Sequence, residues 1–341
     1  MANAQQTVVA AVAAAACFGS SVAGADPVAE FYKGRTFTIL VGQEPGTGYD
    51  IYGRVLARHL GRHIAGNPTI VVQNMPGASG INAGNWLYSI AAKDGTVIGT
   101  FTPNVIVEPL LGNAMAKYDP ARFLWVGNME EGASVCALTP AAGVTSFEDL
   151  RSKEVIVGAT GPTGPLGQAA RALNSIMGTK FKIIYGYKGS ASVKLAVQKG
   201  EVHGVCGLTW STVKSFWKDE LDAGRVKPVL QTSASRQADL AGVAHIDDHV
   251  KSQDTRQMLD LIFGTMVLGR VFAAPPGVPA DRAQALRAAF MAAMKDKELL
   301  ADATKTHIDI IASSGEEVEA MVKRFHAVPP AIVERVKQVL Q

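Results

Sequence analysis

The sequence predicts an α/β fold made of two units of similar design. In each unit a short apolar strand leads through a glycine-rich loop into an amphipathic helix and on to the next strand. Residues 37–41 are almost continuously apolar and β-branched, which is typical of a buried parallel strand. The length of 341 residues also suggests two domains, at roughly 150 residues each.

The first unit follows from residue 37 onwards. Strands are predicted at residues 37–41, 69–73 and 97–100, with helices at 50–64 and 81–92 between them. Because strands and helices alternate, we expect a parallel sheet with right-handed crossovers.

The same pattern returns after residue 150. We predict strands at 155–158, 181–185 and 202–206, and helices at 165–177 and 190–199. Residues 123–140 would connect the two units, and Ser146 begins a short helix with a capping-box pattern. The remaining chain predicts helices at 211–221, 255–263, 280–294, 315–325 and 329–340, and strands at 226–232 and 270–274.

Composition excludes several classes of protein. Hydrophobic residues make up 48% of the chain and charged residues 18%, so a core can form and disorder is excluded. The 33 Lys and Arg against 30 Asp and Glu give a net charge of +3 without a basic cluster, which argues against nucleic-acid binding. Three cysteines are too few for a dense disulfide framework. In an oxidising compartment Cys136 and Cys206 could pair, and the sequence leaves two free thiols equally open.

The N-terminus resembles a secretory signal. Residues 8–19 are apolar and alanine-rich, too short for a bilayer span of about 20 residues but suited to a signal peptide. An A-x-A pattern ends at Ala25. We expect residues 1–25 to be cleaved near Ala25 and the mature protein to enter the periplasm. Residues 2–7 lack the usual Lys or Arg, and a buried helix or a lipidated Cys17 are the alternatives.

Three glycine-rich loops carry the functional signal. Residues 45–50, 76–80 and 161–164 each follow a strand and precede a helix. In a parallel sheet such loops lie at the carboxyl ends of the strands, where ligands bind. Glycines let the backbone approach a ligand, and the helix N-termini favour an anion. The alternative is that these loops are only tight turns.

The catalytic and cofactor-binding motifs that the sequence partly matches are each incomplete. Gly46-x-Gly48 is followed by Ile51 where a dinucleotide fingerprint needs a third glycine. His59 and His63 have helical spacing, but Leu60 stands where a zinc protease has glutamate. We therefore predict no catalytic residues, no metal and no cofactor.

The first two loops resemble a known family. VGQEPGTGYD at 41–50 and VQNMPGASG at 72–80 are similar to motifs of the Bug-type substrate-binding proteins, the extracytoplasmic receptors of tripartite tricarboxylate transporters. KDGT at 93–96, GATGPTG at 158–164, YKGS at 187–190 and APPGVP at 274–279 fit the same family. The resemblance runs from about residue 30 to the C-terminus.

The resemblance implies a two-lobed type II periplasmic-binding-protein fold, with mixed, mostly parallel sheets and a ligand cleft between the lobes. Lobe 1 would comprise residues 26–135 and 233–341, and lobe 2 residues 136–232. Hinge strands would lie near 133–139 and 228–233. The protein would be a monomer that captures a small organic carboxylate, such as a di- or tricarboxylate or an aromatic acid, and delivers it to membrane permease subunits.

The matching motifs also imply the ligand-binding residues. Thr47 and Ser79 replace glycines that are commoner in the family. We expect Asp50 to cap its helix or orient the loop, and Trp210 either to stack on an aromatic ligand or to pack into the next helix. The full set is Gly46, Thr47, Gly48, Tyr49, Asp50, Pro76, Gly77, Ala78, Ser79, Gly80, Thr160, Gly161, Thr163, Gly164, Tyr187, Thr209 and Trp210.

Two other functions remain open from the sequence. One is a periplasmic α/β enzyme that acts on a small carboxylate, which would need a nucleophile–base pair or a cofactor motif. The other is a ligand sensor in a signalling pathway, which would use the same binding fold with a different protein partner.

Overall fold

The structure is a computed structural model that describes residues 26–162, 164–233 and 236–340. The predicted signal peptide with its cleavage position at Ala25, the candidate lipidation site Cys17 and the candidate ligand residue Thr163 lie outside the described residues. Among the helices of the described ranges, none combines the length and the apolar character needed to cross a bilayer.

The N-terminal part of the chain alternates strands and helices as predicted, after a short first helix that was not predicted. Its elements are α1 (Pro27–Tyr32), β1 (Thr36–Val41), α2 (Gly48–Leu60), β2 (Thr69–Asn74), α3 (Ile81–Ser89) and β3 (Val97–Thr100). Helix α2 begins two residues before its predicted start, because Thr47 is the last residue with extended backbone. It ends at Leu60, and a single 3-10 turn (Gly61–His63) follows.

The middle of the chain contains one strand that the sequence did not predict, β4, and one that it predicted as a hinge strand near residues 133–139, β5. The elements are β4 (Leu124–Asn128), β5 (Ser134–Leu138), α4 (Phe147–Ser152), β6 (Val155–Gly158), α5 (Pro165–Met177), β7 (Phe181–Ile184), α6 (Ser190–Gln198) and β8 (Gly204–Thr209). Strand β4 lies within residues 123–140, which we predicted to connect the two units, and β5 agrees with the hinge strand expected there. The predicted capping box at Ser146 is confirmed, with Asp149 as its second member.

The C-terminal part is mainly helical. It comprises α7 (Trp210–Phe216), α8 (Lys218–Asp222), β9 (Lys227–Gln231), α9 (Gln253–Phe263), β10 (Val271–Ala274), α10 (Ala280–Ala293), α11 (Lys297–Lys305), β11 (Ser313–Ser314), α12 (Gly315–His326) and α13 (Pro330–Leu340). The single helix predicted over 211–221 is wrong, because Trp217 has a ψ of 14° and breaks it while its side chain is fully buried. Helix α11 was not predicted.

The strands form two mixed sheets. One has the order β11-β4-β10-β3-β1-β2 and the other β7-β6-β8-β5-β9. The predicted α/β class with mixed sheets is confirmed. The predicted excess of parallel pairings is not: among the described strands four neighbouring pairs are parallel and five are antiparallel. The antiparallel pairs all involve strands β4, β5, β9, β10 and β11. The chain passes from the first sheet to the second between β4 and β5 and returns between β9 and β10.

Strand β1 is largely buried within the first sheet. In β1, Phe37, Ile39 and Val41 are completely buried and pack with Val55 and Leu56 of α2. Leu40, on the opposite face, is 1% exposed, so β1 is buried on both faces and has a continuous apolar run in its sequence. This burial also fixes where the loop from β1 to α2 emerges, at the carboxyl edge of the sheet.

A disulfide joins Cys136 of β5 to Cys206 of β8. The two strands are antiparallel neighbours, and the Cα atoms of the two cysteines are 3.9 Å apart. Both side chains are completely buried. The sequence was equally compatible with a disulfide and with two free thiols, and the structure contains the disulfide.

We expect this bridge to stabilise the fold strongly. It closes a loop of 70 residues, and removing such a cross-link costs about 2–4 kcal/mol of unfolding free energy. The double variant Cys136→Ala, Cys206→Ala should have a lower midpoint of urea unfolding than the wild-type protein. A reductant should lower the midpoint of the wild-type protein but not that of the variant. Equal midpoints for oxidised wild-type protein and the variant would contradict the bridge.

Candidate functional site

A small cavity lies where the loops of the two sheets meet. Its volume is about 70 Å³, and the described residues that line it are neutral. Hydroxyl groups and backbone alternate there with a few apolar side chains. The lining consists of Gln43, Thr47, Gly48, Tyr49, Ser79, Thr102, Thr160, Pro165, Leu166, Gly189, Ser190, Gly207, Leu208, Thr209, Thr212 and Met266.

Three helices direct their N-termini at this cavity. Gly48 and Tyr49 begin α2, Pro165 and Leu166 begin α5, and Ser190 begins α6. The first N–H groups of a helix have no partner within the helix, and the helix dipole is positive at that end. A cavity that three N-termini approach together is therefore suited to an anion.

Asp50 holds the first loop in shape. Its carboxylate accepts hydrogen bonds from the Gly46 backbone N–H (2.9 Å), the Arg54 guanidinium (2.9 Å) and the Asn74 side-chain amide (2.9 Å). Burial alone would raise the pKa of Asp50, but these hydrogen bonds outweigh it and hold the pKa below its ordinary value. Asp50 thus orients the loop, one of its two predicted roles, and does not line the cavity.

The second loop has an unusual backbone. Four consecutive residues have positive φ: Gly77 (130°), Ala78 (44°), Ser79 (54°) and Gly80 (95°). This conformation costs a non-glycine residue roughly 1–2 kcal/mol, and such strain clusters at functional sites. The Ser79 carbonyl is fixed by a hydrogen bond from the Thr102 hydroxyl (2.7 Å).

Two glycine positions show how closely the loops of the two sheets approach each other. A Cβ atom added to Gly164 would lie only 2.8 Å from the Ser79 hydroxyl oxygen, and one added to Gly189 would lie 3.6 Å from the Thr47 methyl group. The Thr47 hydroxyl donates a hydrogen bond to the Glu44 carbonyl (2.8 Å). The Thr47 hydroxyl therefore stabilises the loop that contains Thr47, and the Thr47 methyl group faces the loops of the other sheet.

A buried arginine lies directly behind the cavity wall. Arg270 is 1% exposed and donates hydrogen bonds from one guanidinium nitrogen to the hydroxyls of Thr209 (3.0 Å) and Thr212 (2.9 Å). The guanidinium also packs against the rings of Tyr49 and Tyr52, 4.4 and 4.8 Å from their centroids. Burial raises the pKa of Tyr49 to about 12, so its hydroxyl stays neutral at physiological pH.

The structure brings together only part of the predicted ligand set. Thr47, Gly48, Tyr49, Ser79, Thr160 and Thr209 line the cavity. The remaining predicted residues that the structure describes lie outside the lining: Gly46, Asp50, Pro76, Gly77, Ala78, Gly80, Gly161, Gly164, Tyr187 and Trp210. Most of these belong to the same loops, one or two positions behind the wall.

Of the three aromatic candidates, Tyr187 and Trp210 do not line the cavity, and their contacts explain why. The Tyr187 ring packs over the end of β6, where a Cβ atom on Gly158 would lie 3.1 Å from it. Trp210 begins α7 and donates its indole N–H to the Asp239 carboxylate (2.7 Å). Of the two predicted roles of Trp210, this geometry agrees with packing against protein.

Sequence reasoning missed several lining residues. Gln43, Gly189 and Ser190 lie in loops that it had already singled out, so the signal was present. Gly207, Leu208 and Thr212 flank the predicted Thr209, and Pro165 and Leu166 begin a predicted helix. Nothing in the local sequence pointed to Thr102 or Met266, or to Arg270 behind the wall.

Comparison with known proteins agrees with this architecture. No family model matches the chain, and no curated protein does. Among solved structures it is similar to the periplasmic binding protein BugD, at 18% identity and a TM-score of 0.70, over 90% of this chain and 98% of BugD. It is also similar to MatC from Rhodopseudomonas palustris with bound malate, at 16% identity and a TM-score of 0.68, over 90% and 99%.

A third similar structure is an R. palustris protein with adipate, at 21% identity and a TM-score of 0.68, over 90% of this chain and 97% of that one. The chain therefore has the fold of the Bug-type periplasmic solute-binding proteins. The resemblance predicted from the loops is confirmed at the level of the fold.

We expect Asp50→Asn to destabilise the fold at neutral pH by about 1–3 kcal/mol, because a buried hydrogen-bonded network loses its charge. A depressed carboxyl pKa gives stability that is present above the unfolded-state value, about 3.9, and is lost as the pH falls through the folded-state value. The difference between wild type and variant should therefore shrink as the pH is lowered below about 4.

Urea unfolding at several pH values between 7 and 3 measures this difference. The exposed Asp281 offers a matched control, Asp281→Asn, whose unfolding free energy should follow the wild type throughout. A gap between wild type and Asp50→Asn that stays constant over the whole range would argue against the role given to this carboxylate.

Proposed function

We propose that this protein is a Bug-type solute-binding receptor of a tripartite tricarboxylate transporter. It captures a small organic carboxylate and delivers it to the membrane permease subunits. The single observation that carries the proposal is the convergence of three helix N-termini on one cavity, at Gly48, Leu166 and Ser190. The malate in MatC and the adipate in the R. palustris protein, two structures of the same fold, support a carboxylate as the ligand class.

The lining chemistry favours binding over catalysis. Hydroxyls and backbone N–H groups can hold a carboxylate oxygen, whereas the neutral lining provides no acid–base pair for a reaction. The cavity of about 70 Å³ favours the smaller aliphatic carboxylates. We therefore propose a binding protein without enzymatic activity, whose ligand leaves unchanged.

We propose two lobes with the predicted boundaries, residues 26–135 with 233–341 and residues 136–232. The described strands of the first sheet fall within 36–128 and 271–314, and those of the second within 134–231, which supports this division apart from the first two residues of β5. Lys214 of the proposed lobe 2 forms ion pairs with Asp239 (3.1 Å) and Asp309 (2.6 Å) of the proposed lobe 1. Such contacts support a closed arrangement, and ligand would favour it by population shift.

Export to the periplasm is part of the proposal. The buried Cys136–Cys206 bridge suits an oxidising compartment, as does the signal-like composition of residues 1–25. Mass spectrometry of protein secreted from its host would test the cleavage near Ala25. An intact N-terminus on the secreted protein would contradict it.

A thermal-shift screen tests the proposed ligand class. Mono-, di- and tricarboxylates and aromatic acids are added separately to the purified protein, and small aliphatic carboxylates should raise the melting temperature. At 100 times its dissociation constant, a ligand stabilises the folded state by about 2.7 kcal/mol. Silence across all classes would contradict the proposal, and conversion of a bound acid, followed by NMR, would favour the enzyme reading.

A pair of neighbouring substitutions on α6 tests the position of the site. Ser190 lines the cavity, whereas Ala191 is exposed. Overpacking costs about 1–3 kcal/mol, so Ser190→Leu should weaken carboxylate binding about 10- to 100-fold while Ala191→Leu leaves it unchanged. Isothermal titration calorimetry measures both affinities, and equal values for the two variants would exclude this cavity as the binding site.

A further inference from the structure

Arg270 is completely enclosed yet lies within reach of the cavity wall. Gly48 lines the cavity, and a Cβ atom added to it would lie 2.7 Å from the Arg270 Nη2 atom and 2.7 Å from the Thr212 hydroxyl oxygen. Gly48, the Tyr49 ring and the two threonine hydroxyls therefore separate the guanidinium from the cavity. No predicted ligand residue carries a positive charge, so Arg270 adds a property that the loops lack.

The hydrogen bonds of Arg270 fix the polarity of the two hydroxyls. A guanidinium only donates, so the Arg270 Nη2 atom occupies a lone pair on the oxygens of both Thr209 and Thr212. These two oxygens are 2.7 Å apart, so one hydroxyl donates to the other. One hydroxyl proton of the pair then remains to be donated, and both threonines line the cavity. The network accordingly presents a donor to a ligand.

The counter-charge of Arg270 lies on its far side. The Glu130 carboxylate is 3.6 Å from the Nη1 atom, whereas Nη2 faces the threonines. Glu130 is 3% exposed, and its Oε2 atom has no hydrogen bond among the described residues. The ion pair is thus oriented as a dipole with its positive end towards the cavity.

We propose that Arg270 makes the cavity selective for anionic ligands without touching them, acting through the Thr209–Thr212 hydroxyl pair. It is a positioning residue that sets the direction of the hydroxyl donors and supplies a buried positive potential. The inference rests on the proposed function, since it names what distinguishes a carboxylate from a neutral molecule of the same shape at that site. A purely structural arginine would stabilise the fold and leave this discrimination unchanged.

The test measures the ratio of affinities for a carboxylate and for its neutral primary amide. The probes are the carboxylates of two to six carbons that stabilise the wild-type protein in the thermal screen, each beside the amide of the same length. In Arg270→Gln the ratio should fall about tenfold or more, because a nearby buried charge is lost. Arg270→Lys, which keeps the charge, should retain most of the ratio.

Two further variants separate charge from folding. Glu130→Gln removes the compensating negative charge, so it should raise the ratio, in the direction opposite to Arg270→Gln. Arg324→Gln is the matched control, because it makes the same chemical change at an exposed position. Circular dichroism identifies any variant that does not fold, and Glu130→Gln and Arg270→Lys decide the question if Arg270→Gln is such a variant.

The outcomes distinguish the inference from the proposed function. If no carboxylate binds the wild-type protein, the proposed function fails and the inference falls with it. If carboxylates bind but the ratio is the same in wild type, Arg270→Gln and Glu130→Gln, the inference alone is wrong. Opposite changes in the two variants, with the Arg324→Gln ratio equal to wild type, support it.

Discussion

The site depends on one constraint: the parallel strands of both sheets end at the same cavity. Each parallel strand is followed by a loop and a helix, so the direction of the strand decides where the helix N-terminus lies. Strands β1 and β6 therefore bring the first residues of α2 and α5 to one place, and α6 follows from β7 in the same manner. The antiparallel strands serve this arrangement, because the chain passes from the first sheet to the second between β4 and β5 and returns between β9 and β10.

This construction provides positive potential from neutral groups. Backbone N–H groups and oriented hydroxyls carry no net charge, so they cost less to desolvate than an exposed lysine or arginine in the same wall would. The full charge of Arg270 is placed one layer deeper, against Glu130 and two tyrosine rings. An anion bound to such a wall can leave without breaking a direct ion pair, which fits the proposed role of a receptor that passes its ligand on.

Local sequence predicted the units well and the connections poorly. Strands β3 and β6 and helix α5 have the predicted bounds, because buried apolar runs, a proline at the first turn and a glycine after the last turn are local signals. Strand β4 was missed, since its pairing partners β10 and β11 lie far away in the chain. For the same reason the three loops were recognised as the candidate site, whereas Arg270 was not: its threonine partners are 61 and 58 residues away, and a lone arginine before a strand carries no local signature.

The disulfide has a consequence for how the molecule is assembled. The loop it closes contains α4, β6, α5, β7 and α6, and its second cysteine lies in β8, the central strand of the five-stranded sheet. A chain that crosses a membrane unfolded, N-terminus first, presents β5 and β6 well before the strand that must lie between them. The sheet is complete only when β8 lies between them and β9 pairs with β5, and the disulfide joins β8 covalently to β5. Chains produced in a reducing compartment would keep two buried thiols at this position, so the place of synthesis decides which covalent form of the protein is obtained.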